Sequence, residues 1–119
     1  MMVYLIDDDD SIRDAIEMLL QSANMNVQTF KTGDKFLQCN HQIERSCIIS
    51  DLKMKGLDGF DLCKKLHGKG INIPVIFLTA FDSQEYRKHA REIGAAGYLS
   101  KPVDDQALID SIHWALSKK

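Results

Sequence analysis

Five short apolar runs rich in β-branched and aromatic residues, each followed by a polar group and then by a stretch of helical period, limit what this chain can become. The runs are Met2 to Ile6, Asn26 to Phe30, Cys47 to Ser50, Ile73 to Leu78 and Gly97 to Leu99. Near-continuous apolarity over so few residues predicts strands buried on both faces. Between them, Ile12, Ile16, Leu19, Leu20 and Ala23 recur on one helix face from Ser11 to about Asn24. Gly33 opens a short second helix with Phe36 and Leu37. Asp58-Gly59 turns into a third, with Phe60, Cys63, Leu66 and His67 on one side and Gly68 and Gly70 at its end. A fourth runs from about Ser83 to Ile93, and a fifth from about Asp104 to Leu116 with Leu108, Ile112 and Ala115 inward. Strands alternating with helices imply an α/β fold of five βα units. Each right-handed crossover lays its helix against a parallel sheet, which is thereby covered on both faces.

The 119 residues, 45% of them hydrophobic, suffice for one core, so residues 1–119 are expected to form a single domain. A formal charge of -2, from 17 acidic and 15 basic side chains, provides no basic surface for capturing nucleic acid. Cys39, Cys47 and Cys63 are odd in number and form no CxxC pair, which predicts reduced thiols rather than a disulfide framework or a zinc site. The apolar run at the N-terminus stops at four aspartates, too soon for a signal peptide or a membrane span, and a cytoplasmic location is expected.

In a parallel α/β sheet the functional crevice lies beyond the carboxyl ends of the strands. Those positions hold Asp7-Asp8, Asp51, Thr79-Ala80 and Ser100-Lys101-Pro102. Three carboxylates brought together repel one another and persist cheaply only when a cation or a proton shares the site. Mg²⁺ suits them, being hard, oxygen-seeking and usually bound through one or two carboxylates plus a phosphate. A carboxylate can attack phosphorus to give an acyl phosphate, and the metal, Lys101 and the Thr79 hydroxyl can each take one phosphoryl oxygen. The small Ala80 leaves space beside that hydroxyl.

Taken singly, these residues have plainer explanations. Acids in a first helical turn stabilise a helix by roughly 0.3–1 kcal/mol each, Asp51 alone is a strand-ending acid, and Lys101-Pro102 alone is a turn. His41, His67, His89 and His113 share no ligand spacing with cysteine or acid and are expected at exposed or core-edge positions.

Together, Leu5-Ile6-Asp7-Asp8-Asp9, Ile49-Ser50-Asp51-Leu52-Lys53-Met54 with Asp58-Gly59 following, Leu78-Thr79-Ala80, and Tyr98-Leu99-Ser100-Lys101-Pro102 resemble the receiver domains of bacterial two-component response regulators. The resemblance runs from residue 2 to about 117. It implies a doubly wound, flavodoxin-like sheet of strand order 2-1-3-4-5, which periodicity alone does not show. It implies Asp51 as phosphoacceptor, with Mg²⁺ held by Asp7, Asp8, Asp51 and the Lys53 backbone carbonyl. Thr79, Ala80 and Lys101 would contact the phosphoryl group, Thr79 and Tyr98 would act as the switch pair, and the Lys101–Pro102 peptide would be cis. The implied donor is a sensor histidine kinase or phosphotransfer protein. The implied output surface is the face of the fourth helix, fifth strand and fifth helix. There Arg87, Lys88 and Arg91 oppose Asp104, Asp105 and Asp110 in charge, which allows a homodimer. Lys55 stands where the family usually has proline, and Lys53 and Phe81 flank the site, where they bear on the lifetime of the acyl phosphate.

Two other functions fit less well. Haloacid-dehalogenase-type phosphatases need a second acid two residues after the nucleophile, where this chain has Lys53. A flavodoxin relative would need a phosphate-holding loop after the first strand, where four aspartates repel phosphate. The expectation is therefore a phosphoacceptor switch rather than an enzyme, standing alone or as the front part of a larger regulator.

Overall fold

A computed structural model describes residues 1–39 and 41–117. Through its centre runs a strand, β3 (Ser46–Asp51), with all 6 residues buried. It lies between β1 (Met2–Ile6) and β4 (Val75–Thr79), while β2 (Val27–Phe30) and β5 (Gly97–Ser100) form the edges. All pairings are parallel, and the order is β2-β1-β3-β4-β5, the flavodoxin-like arrangement.

Strand side chains alternate between faces, so one set of apolar runs feeds two cores. Tyr4, Ile6, Ile48 and Phe77 meet Phe36, Leu62, Leu66 and Ala90 on one side, under α2 (Gly33–Gln38), α3 (Gly59–Gly68) and α4 (Gln84–Glu92). Val3, Leu5, Cys47, Ile49, Ile76 and Leu78 meet Ile16, Leu20, Leu108 and Ile112 on the other, under α1 (Asp10–Ser22) and α5 (Asp105–Ser117). Each large apolar side chain removed from water here contributes about 1.5–3 kcal/mol.

Side-chain oxygens set where most helices begin. Asp9, Thr32, Asp58 and Ser83 each accept a backbone N–H three residues on, at 3.0, 3.1, 2.8 and 3.0 Å. Asn24, with φ of 61°, stops α1 in the left-handed conformation that asparagine tolerates.

The elements differ from the sequence expectation in instructive places. β4 begins at Val75 rather than Ile73, because Pro74 has no N–H to donate, although its carbonyl still accepts from the Ile48 N–H at 2.8 Å. The inward face of α3 is Leu62, Cys63 and Leu66, so His67 is exposed and Phe60 only half-buried, resting edge-on against Phe77. Asp104 lies just before α5 and accepts the Ala107 N–H at 2.9 Å. Cys47 and Cys63 are buried free thiols, both pushed up to about 12 by burial, and Cys39 is exposed. Among the described residues, no helix is long and apolar enough to cross a membrane.

Candidate functional site

The sheet register lines up the groups singled out in the sequence. Ile6 pairs with Ser50, Asp51 with Leu78, and Thr79 with Ser100, so Asp7, Asp51, Thr79 and Lys101 stand in one row at the carboxyl ends of four neighbouring strands. Asp7 and Thr79 are fully buried and Asp51 is 7% exposed. Asp8 is half-buried.

Carboxylate oxygens of Asp7, Asp8 and Asp51 all lie within 4.8 Å of one another. Facing them, the Lys101 ammonium donates to Asp7 Oδ2 at 2.9 Å and sits 3.4 Å from Asp51 Oδ2. The other Asp7 oxygen accepts the Asp9 N–H at 2.9 Å, which orients the buried carboxylate from both sides. Asp8 has a looser hold, a 3.4 Å contact from the Lys55 N–H to its Oδ2.

Burial pushes the Asp51 carboxyl up to about 6; Lys101 opposes that rise, and Asp7 and Asp8 add to it. Burial alone would lower the Lys101 ammonium, yet its bond to Asp7 and the Asp51 charge push it above its ordinary value. One lysine thus offsets only part of a three-carboxylate charge. The donor set, hard oxygens with excess negative charge, fits a small divalent cation such as Mg²⁺.

The loop after β3 continues the ladder for one residue. Leu52 donates to Leu78 at 3.0 Å and accepts from the Gly59 N–H at 3.1 Å, after which the chain turns away at Lys53. Gly59 is required by close approach: a Cβ there would lie 2.8 Å from the Asp51 carbonyl oxygen and 3.2 Å from Leu52 Cα. Sequence reasoning read Asp58-Gly59 as a turn only. It is also the helix cap, and the place where α3 touches the backbone of Asp51.

The β4–α4 side is built differently. The Thr79 hydroxyl accepts the Phe81 N–H at 2.9 Å, while Ala80 and Phe81 are exposed. The Lys53 side chain leaves the carboxylates and lies over the rings of Tyr86 and Phe81, at 5.5 and 6.0 Å. Asp82 accepts from Arg87 Nε at 2.8 Å and from the Ser100 hydroxyl at 3.2 Å, and the guanidinium lies 5.6 Å from the centre of the Tyr98 ring. The Tyr98 hydroxyl is buried beside Asp82; burial first, then that carboxylate, push its pKa up. The Lys101–Pro102 peptide is cis.

Sequence reasoning missed Asp82 and Arg13. Arg13 donates to the Asp7 main-chain carbonyl at 2.8 Å and to Asp10 Oδ1 at 2.6 Å. The signal for Arg13 was available: Asp10 and Arg13 are an acid and a base three residues apart on a helix. Of the histidines, His41 stacks on Phe36 with ring centres 4.0 Å apart and His89 meets Phe60 edge-on at 4.3 Å, both at the core margin.

Comparison with known proteins shows the family. The model of the response regulator receiver domain matches residues 3–113. Transcriptional regulatory protein FixJ of Azorhizobium caulinodans is 34% identical over 116 residues, covering 98% of this chain and 55% of FixJ. Transcriptional regulatory protein TdiR of Thauera aromatica is 32% identical, over 97% of this chain and 51% of TdiR. The chain therefore spans about half the length of these curated relatives. Among solved structures, response regulator StyR superposes with a TM-score of 0.90 at 34% identity, covering 98% of this chain and 59% of that one. FixJ-N, also at 0.90, is 24% identical over 99% of this chain and 94% of its own, and supports the fold. With its sheet order, its row of strand-end residues and this family match in agreement, the chain belongs to the response regulator receiver domains of two-component signalling.

Proposed function

We propose that Asp51 is the phosphoacceptor of a phosphorylation switch. The observation that carries this is the convergence of Asp7, Asp8 and Asp51 within 4.8 Å beside Lys101 at the strand ends. Asp7, Asp8, Asp51 and the Lys53 backbone carbonyl would hold Mg²⁺, whose chemistry is to neutralise charge on the phosphoryl oxygens. An Asp51 carboxylate oxygen attacks phosphorus; the P–N bond of a phosphohistidine breaks, and the imidazole leaves as the acyl phosphate forms. Lys101 and the Thr79 hydroxyl then each take a phosphoryl oxygen, and Ala80 leaves room for the group. Receiver domains take their phosphoryl groups from histidine kinases or phosphotransfer proteins, and such a protein is the proposed partner here.

Occupancy of Asp51 draws Thr79 inward and lets Tyr98 follow, a shift of population rather than a catalytic step. The output is the α4–β5–α5 face, as a docking surface or a homodimer contact. Its α4 cations Arg87, Lys88 and Arg91 face a partner copy's Asp104, Asp105 and Asp110. The unit is read as residues 1–119, cytoplasmic, and without a nucleic-acid contact of its own.

Incubation with Mg²⁺ and acetyl phosphate, followed by intact mass measurement, tests the acceptor. Wild type should gain one phosphoryl group and Asp51→Ala none. A wild type that gains nothing, or an Asp51→Ala protein that gains the same group, refutes the assignment.

A further inference from the structure

Four consecutive aspartates, Asp7 to Asp10, crowd the junction of β1 and α1, and their mutual repulsion opposes any fixed geometry. Asp7 is nonetheless fully buried, with both carboxylate oxygens engaged. Its carbonyl belongs to the peptide joining it to Asp8, so the orientation of that planar unit sets the direction in which Asp8 leaves. Asp8 itself has only the 3.4 Å contact from the Lys55 N–H, and its place depends on the backbone that carries it.

Arg13 holds that peptide. With 16% of its side chain exposed, it donates from Nη1 to the Asp7 carbonyl at 2.8 Å and from Nη2 to Asp10 Oδ1 at 2.6 Å. A guanidinium is a rigid fork, so gripping the first turn of α1 with one prong fixes where the other presents itself to the end of β1.

We propose that Arg13 is a positioning residue for cation binding, acting through the Asp7–Asp8 peptide and not through its charge. The proposal rests on the reading of the carboxylate cluster as a Mg²⁺ site. Charge alone predicts the opposite sign, because a guanidinium beside three carboxylates repels a second cation and its removal should tighten binding. Positioning predicts that removal weakens it.

Calorimetric titration of the metal-free protein with Mg²⁺ separates the two, with each variant titrated where it is fully folded. Arg13→Ala is expected to weaken Mg²⁺ about tenfold, the scale typical when a group orienting metal ligands is lost. Arg13→Lys should recover little of this, since a point charge does not span both acceptors. Affinity in Arg13→Ala equal to or tighter than wild type, or full recovery in Arg13→Lys, overturns the proposal. Should Arg13→Ala not fold, Arg13→Met, which keeps the aliphatic stem, carries the same two outcomes. A wild-type protein that takes up no Mg²⁺ refutes the metal site and this inference together. A wild type that binds it with no response to Arg13 refutes this inference alone.

Discussion

The two flanks of Asp51 are held in opposite ways. On the β1 side Asp7 is buried, bonded at both oxygens and braced from behind by Arg13. On the β4 side Phe81, Asp82 and Arg87 are exposed, and the bonds from Asp82 to Arg87 and Ser100 are made at the surface. Exposed ion pairs are worth little and are screened by salt, whereas a buried carboxylate stripped of its partner is costly. One flank is built to stay and the other can be rearranged cheaply, which is the division the proposed switch needs.

The comparison can be broken from its rigid side first. Lys101→Ala removes the ammonium facing Asp7 and Asp51 without removing a carboxylate. It should still bind Mg²⁺ but lose most of its response to beryllofluoride, followed by amide chemical shifts on α4 and β5. Equal responses in the two proteins would contradict the role given to Lys101.

A smaller effect concerns Asp51 and pH. Its folded value of about 6 lies above the ordinary carboxylate value near 4. Between roughly pH 4 and 6 the folded state therefore holds a proton that the unfolded state has released, and metal-free stability falls as pH rises through that window. Above it the penalty is constant, and Asp51→Asn should relieve it by about 1–2 kcal/mol at neutral pH, allowing for water that reaches the carboxylate. Thermal melts of both proteins from pH 4 to 8, with chelator present, check this. Parallel curves would show that Asp51 does not carry the shift.

The smallest effect belongs to the yielding side. Arg87→Ala deletes the Asp82 ion pair and the cation over Tyr98, yet the thermal midpoint should stay close to wild type. The same substitution should weaken self-association in beryllofluoride, measured by light scattering. A wild type that remains monomeric with and without beryllofluoride removes the homodimer from the proposal.

Much of this was legible before the structure. The polar residues ending each apolar run mark the candidate site because a parallel sheet delivers strand ends to one edge, and the convergence of Asp7, Asp8, Asp51 and Lys101 is legible that way. Strand order was not legible from periodicity, since an alternating pattern reports burial and says nothing about neighbours; it came through the family resemblance. Pro74 is not legible as a strand break because apolarity outweighs its missing N–H, and a 3.6-residue period leaves a one-position ambiguity at the margin of a helix face, where His67 falls on the exposed side as expected of the histidines. Asp82 escapes a spacing argument because Arg87 stands five residues on, outside the three- and four-residue pairing of a helix, and Ser100 is brought to it by the fold from across the α4 crossover.

Gly59 decides the direction in which the molecule can give way. With only a hydrogen where other residues carry a methyl or more, it seats α3 against the carbonyl of Asp51 with no room to advance. Asp51 thus has a wall at its back and a surface-bonded loop in front. A load applied at Asp51, such as the proposed phosphoryl group, would be borne at the wall and relieved at the loop, so the direction of any movement is set by where the packing leaves no slack.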